Sequence, residues 1–128
     1  MTELTATDST VEPLDVVARF NDAFDRQDLD AVMALVTDDC VFEDTTPPDG
    51  GRHVGKDAVR RAWEQLFAGS PHAHFAGEEA VGLRDRVVVR WRYEWGESGA
   101  DGAGHVRGVD VFRVAAGLIA EKLSYVKG

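Results

Sequence analysis

Two aspartates stand where a carboxyl group can do chemistry. Asp44 closes the β-like run CVFED, residues 40–44, and is followed at once by TTPPDGG, whose paired prolines and glycines form a turn or loop. At such a junction an aspartate can project a carboxylate into a cavity rim as an acid/base group, or it can open the turn by accepting hydrogen bonds from the backbone beyond it. Asp110 is placed differently. Alternate residues of a strand face opposite sides, so in the run 104–115 Asp110 shares a face with Val106, Gly108, Phe112 and Val114, and His105, Arg107, Val109, Val111 and Arg113 take the other. Desolvation on that apolar face favours the neutral acid, unless a cation or several donors stabilise the charge. A neutral Asp110 can donate a hydrogen bond to a ligand oxygen.

The same parity applied to residues 86–96 gathers Val87, Val89, Trp91, Tyr93 and Trp95 on one face and Val88, Arg90, Arg92 and Glu94 on the other. The aromatic face reads as the inner one, either lining a pocket for a flat hydrophobic ligand or packing a core; the charged face meets solvent or a second subunit. Other chemistry-bearing residues carry less. His72 and His74 fall on one strand face, but two ligands without a third make a poor metal site, and no metal or cofactor is expected. His53 follows the loop and either reaches the rim beside Asp44 or, on the simpler reading, sits in water. Cys40 shares the parity of Phe42 and Asp44 but has no cationic cluster nearby to activate a thiolate. No phosphate-binding glycine loop, nucleophile elbow or zinc-binding cysteine pattern is present.

These residues need elements to hold them. Pro13 suits a first helical turn, and Leu14, Val17, Phe20 and Phe24 recur on one helical face up to about Gln27. Asp28 can cap a short second helix carrying Leu29, Val32, Met33 and Val36, and Val59, Ala62, Trp63, Leu66 and Phe67 give helical spacing to residues 56–68. Residues 73–83, 86–96, 104–115 and 118–126 then read as a strand meander. Helices first and antiparallel strands after is the order of an α+β domain. The 128 residues suffice for one core, read as a single domain over 13–128 behind a loose tail over 1–12. A formal net charge of −9 disfavours nucleic acid and anionic membranes as partners. The single cysteine and the polar start fit a cytoplasmic protein.

The stretch VVARFNDAFDRQDLDAVMALVTDDCVFED, residues 16–44, resembles the opening of bacterial ketosteroid isomerases, and VDVFRVAAGLI, residues 109–119, resembles that family's Asp-containing strand and the glycine turn after it. The segment from Gly104 onward also resembles SnoaL-like polyketide cyclases. Both belong to the nuclear transport factor 2-like superfamily, with a cystatin-like cone in which a curved antiparallel sheet wraps three N-terminal helices. The resemblance implies that Asp44 abstracts a proton beside the carbonyl of a hydrophobic ketone, steroid or polyketide-like, and that a protonated Asp110 hydrogen-bonds the enolate oxygen. It further implies a hydrophobic pocket walled by Phe20, Phe24, Phe42, Trp63, Trp91, Tyr93 and Phe112, and a homodimer formed through the outer sheet face. Two positions depart from the pattern. Phe20 stands where the isomerases keep an oxyanion-binding tyrosine and Trp63 where they keep a supporting one, which removes a donor of a type worth a few kcal/mol in such transition states. The alternative is a non-catalytic ligand-binding or dimerisation module on the same fold.

Overall fold

The computed structural model describes residues 12–96 and 102–127. Pro13 opens helix α1 (Pro13–Asp25), which buries Val16, Val17, Phe20, Ala23 and Phe24. Asp28 caps α2 (Leu29–Met33) by accepting a hydrogen bond from the Ala31 N–H at 3.2 Å. Helix α3 (Lys56–Gly69) buries Val59 and Trp63. The strands are β1 (Val36–Glu43), β2 (Arg52–Val54), β3 (His74–Leu83), β4 (Arg86–Trp95), β5 (Gly104–Ala115) and β6 (Leu118–Val126). They form one curved, open six-stranded sheet in the order β2-β1-β6-β5-β4-β3. Every neighbouring pair is antiparallel except β1 and β6, which run parallel. This is the α+β architecture expected.

The sequence reading differs from the structure at the start of the sheet. The first strand was expected over residues 40–44, yet β1 begins at Val36, and a short strand, β2, follows the loop. The polar run Thr37–Asp39 looks like a breaker in isolation, but the Ile119 N–H donates to the Leu35 carbonyl at 2.7 Å and Val36 pairs with Ile119. Strand pairing in tertiary context overrides local propensity there. The tail expected over residues 1–12 lies outside the described residues, apart from Glu12.

The helices cover one face of the sheet. Val87, Val89 and Trp91 of β4 and Asp110, Phe112 and Val114 of β5 are buried, in agreement with the parity argument. Phe20 meets Trp63 and Phe112 edge-on, with ring centroids 5.4 and 5.7 Å apart, and thereby joins α1, α3 and β5. The outer face carries exposed ion pairs such as Arg107–Glu78 and Arg90–Glu79.

Candidate functional site

Between the helices and the far half of the inner sheet face lies a cavity of about 410 Å³. Its apolar walls include Phe24, Phe42, Leu66, Phe75, Trp91 and Tyr93. Its Asp, His and Lys side chains fall into two sets, one at the rim and one in the floor.

The rim set is built by the turn after β1. The Asp44 N–H donates to the Gly51 carbonyl at 2.9 Å, and Asp44 Oδ1 accepts from the N–H groups of Gly51 at 2.6 Å and Thr46 at 3.0 Å. Asp44 Oδ2 lies 3.0 Å from His53 Nε2. An ionised carboxylate only accepts, so Nε2 is the donor and the Nδ1 lone pair is left as the basic site of the ring. Pairing of β1 with β2 sets His53 opposite Phe42, where the rings stack with centroids 5.6 Å apart. Partial burial pushes the Asp44 pKa up, but hydrogen bonds from the Gly51 N–H, the His53 ring and the Thr46 N–H and hydroxyl outweigh it and hold the carboxyl well below the usual range. Both readings of Asp44 therefore hold at once, since it opens the turn and lines the cavity. His53 is not a loop residue in water, because its side chain is 29% exposed and forms part of the cavity wall.

The turn leaves little room for a side chain at its two glycines. Gly50 has φ +82°, and a Cβ there would stand 2.2 Å from the Asp44 carbonyl oxygen; one on Gly51 would stand 2.8 Å from Asp44 Oδ2.

The floor set comes from neighbouring strands. The β5–β6 register places Asp110 opposite Ser124 and Phe112 opposite Lys122. The Ser124 hydroxyl donates to Asp110 Oδ1 at 2.6 Å, and Lys122 Nζ donates to Ser124 Oγ at 3.1 Å and lies 3.2 Å from Asp110 Oδ2. The exception left open by the sequence is thus met, because a cation does sit beside Asp110. Nζ also lies 5.0 Å from the ring centroids of both Phe24 and Phe42, within reach of a cation–π attraction. Asp110 is in the cavity wall, yet none of its surface is open. Its Oδ2 has the ammonium beside it but no aligned hydrogen bond, and the buried Trp91 Nε1 has no partner among the described residues.

Of the residues singled out by sequence, Asp44, Asp110, Phe24, Phe42, Trp91 and Tyr93 are brought together around the cavity. Phe20, Trp63 and Phe112 are not in its wall. They are 0%, 1% and 0% exposed and pack on one another in the core behind it, because α1 and α3 press their most apolar positions directly against the sheet. Phe20 thus presents no surface to the cavity. Lys122, Ser124, Gln65 and Phe75 line the cavity and were not anticipated. The alternation in β6 puts Lys122 and Ser124 on one face, and that was the available signal. Burial pushes the Cys40 thiol up, away from the reactive thiolate. Among the described residues no group of three His, Cys, Asp or Glu side chains is placed to hold a metal.

The family model for the SnoaL-like domain matches residues 17–122. An NTF2-like protein of unknown function from Mesorhizobium loti is 37% identical, with 96% of this chain and 97% of that one covered and a TM-score of 0.78. A hypothetical protein with a ketosteroid isomerase-like fold from Catenulispora acidiphila, in complex with trimethylamine, is 18% identical over 87% of this chain and 84% of that one, with a TM-score of 0.75. TerC co-crystallised with polyporic acid is 14% identical over 90% and 91%, with a TM-score of 0.76. At such identities these last two show the fold alone. No curated protein matches the chain.

Proposed function

The chain belongs to the SnoaL-like domain family, and from that premise we propose that it is a small-molecule enzyme that moves a proton next to the carbonyl of a flat, hydrophobic ketone of steroid or polyketide type. The observation that carries this reading is the Asp44–His53 pair, 3.0 Å apart, at the rim of an aromatic cavity. The division of labour differs from the expected one. Asp44 has its lone pairs engaged by the turn and is a weak base, so it orients the His53 ring, and His53 Nδ1 takes the proton while the carboxylate stabilises the cation that forms. Asp110 has no surface for a substrate and acts through Lys122 and Ser124. Two structurally similar proteins, one in complex with trimethylamine and one co-crystallised with polyporic acid, support a ligand of modest size.

Isomerisation of a β,γ-unsaturated 3-oxosteroid, followed by ultraviolet absorbance and supplemented by deuterium exchange into simpler aryl ketones, tests the reading. His53→Asn should lower kcat by about a hundredfold or more, in the range of general base catalysis, and Asp44→Asn should lower it comparably. Full loss in Asp44→Asn with an unaffected His53→Asn would return the base role to the carboxylate, and unchanged rates in both would end the proton-transfer reading. The low basicity of Asp44 also favours a second reading, a ligand-binding module without turnover. Ligand binding with no turnover in the native protein would select it.

The proposal includes a second copy of the chain on the outer sheet face. Val88, Val109, Val111, Leu123 and Tyr125 share that face in register across β4, β5 and β6, with Val88 39% and Tyr125 54% exposed. Charges of both signs flank the strip, as a self-complementary two-fold contact requires. A monomeric mass in light scattering would refute it.

A further inference from the structure

We infer that Lys122 receives the charged oxygen of the ligand, so that the cavity takes flat, apolar molecules bearing an acidic enol or phenol hydroxyl and holds them as the oxyanion. The inference rests on the cavity being a ligand pocket but not on the proton transfer proposed above. An ammonium has three N–H donors. One of Lys122's donates to Ser124 Oγ at 3.1 Å and a second faces Asp110 Oδ2 at 3.2 Å; the third has no polar acceptor among the described residues. The space around Nζ that Asp110 and Ser124 leave is bordered by the faces of Phe24 and Phe42, both of which line the cavity. A lysine side chain that is 6% exposed, held by neighbours on two sides and walled by aromatic rings, is preorganised toward whatever enters between them.

The neighbours are arranged to aim the ammonium rather than to compete with the ligand. The Ser124 hydroxyl has its proton committed to Asp110 and a lone pair committed to Lys122. Asp110 borders the cavity but has no accessible surface there, so an incoming anion meets the cation first. The other carboxylate facing the cavity, Asp44, is tied to Gly51, Thr46 and His53. Lys122 therefore supplies, from the sheet floor, the positive electrostatics that Phe20 on α1 lacks. Asp110 is a positioning residue for it.

The test uses 4-nitrophenol, whose visible absorbance reports ionisation, with nitrobenzene as the apolar control lacking the hydroxyl. Bound to the native protein, the phenol should ionise about one pH unit or more below its value in free solution, as an adjacent cation demands. Lys122→Met should abolish that displacement and weaken phenolate binding at least tenfold while leaving nitrobenzene binding in place. Because Lys122→Met alone leaves Asp110 uncompensated, the double variant Lys122→Met/Asp110→Asn is measured beside it, with a thermal melt on each. A bound probe that ionises at its solution value or above, no binding of the phenol at all, or equal phenolate affinity in the folded double variant would each overturn the inference. The probe has no acidic C–H beside a carbonyl, so its binding is read independently of turnover.

Discussion

The two polar centres of the cavity are each built on an aspartate that lines it, one from the turn after β1 and one from within β5, and they stabilise it in opposite ways. At the rim, Asp44 is 28% exposed and is satisfied mainly by backbone N–H groups of its own turn, with His53 as the side-chain partner. In the floor, Asp110 is 1% exposed and depends wholly on two side chains of the adjoining strand. Backbone donors are fixed by the turn and survive a side-chain substitution. A single buried cation does not, and its loss leaves a carboxylate stranded in low dielectric. The rim can therefore vary its chemistry cheaply, and the floor is a unit that stands or falls together.

The sharpest way to break this contrast is to remove one member of the floor pair. Lys122→Met or Lys122→Ala should cost about 3–5 kcal/mol in unfolding free energy, the range for a buried pair that loses one partner. Replacing both members with apolar residues, Lys122→Met with Asp110→Leu, should recover much of that loss. Urea denaturation of the three proteins decides the matter; a single-variant cost below 1 kcal/mol would mean that water reaches the floor and that the pair is not sealed.

The next largest effect belongs to the turn that makes the rim. Gly50→Ala puts a methyl group 2.2 Å from a backbone oxygen at a positive φ, so the turn must open. The expected cost is about 1–3 kcal/mol, the scale of local backbone strain, together with loss of the Asp44–His53 bond. Histidine-detected NMR should then show the His53 ring freed from its carboxylate partner. Unaltered stability and an unaltered His53 signal would show that the rim does not depend on the turn.

How far each centre was legible in the sequence follows from the same contrast. Period-two alternation placed Asp110 and Trp91 inward because β4 and β5 are long, paired on both sides and apolar on one face only. It did not expose Lys122. In β6 the alternation sets Ile119, Glu121, Leu123 and Tyr125 against Leu118, Ala120, Lys122, Ser124 and Val126; it groups Lys122 with Ser124, but both sets mix apolar and polar residues, so the hydrophobic pattern does not say which faces inward. A register shift between Arg113 and Val114 lets both Ile119 and Ala120 be buried, and only the pairing of β5 with β6 brings Lys122 to Asp110. His53 lies in a three-residue strand, too short for a period, whose position is set by β1 across the turn. The three aromatics taken for pocket wall, Phe20, Trp63 and Phe112, fail for another reason. Helical and strand spacing report which side is buried, but not whether the neighbour on that side is another ring or an open cavity.

The smallest expected effect separates the centres by pH. Asp44 has a lower pKa in the folded chain than when unfolded, so its contribution to stability is fully present above the unfolded carboxylate value of about 3.9 and is lost as the pH falls toward the folded value. Asp44→Asn keeps the size of the side chain and loses the charge that its donors favour. It should be less stable than the native protein by about 1 kcal/mol near neutrality, the scale of one hydrogen bond, because the turn donors retain an acceptor in the amide oxygen. The difference should hold from pH 7 to about 5 and then narrow toward pH 2 as the native carboxyl takes up its proton. Thermal melts at pH 7, 5, 3 and 2 measure it. A gap that stays constant down to pH 2 would mean that the turn does not favour the charged form, and Asp44 would then be a stronger base than its hydrogen bonds imply, able to take the substrate proton without His53.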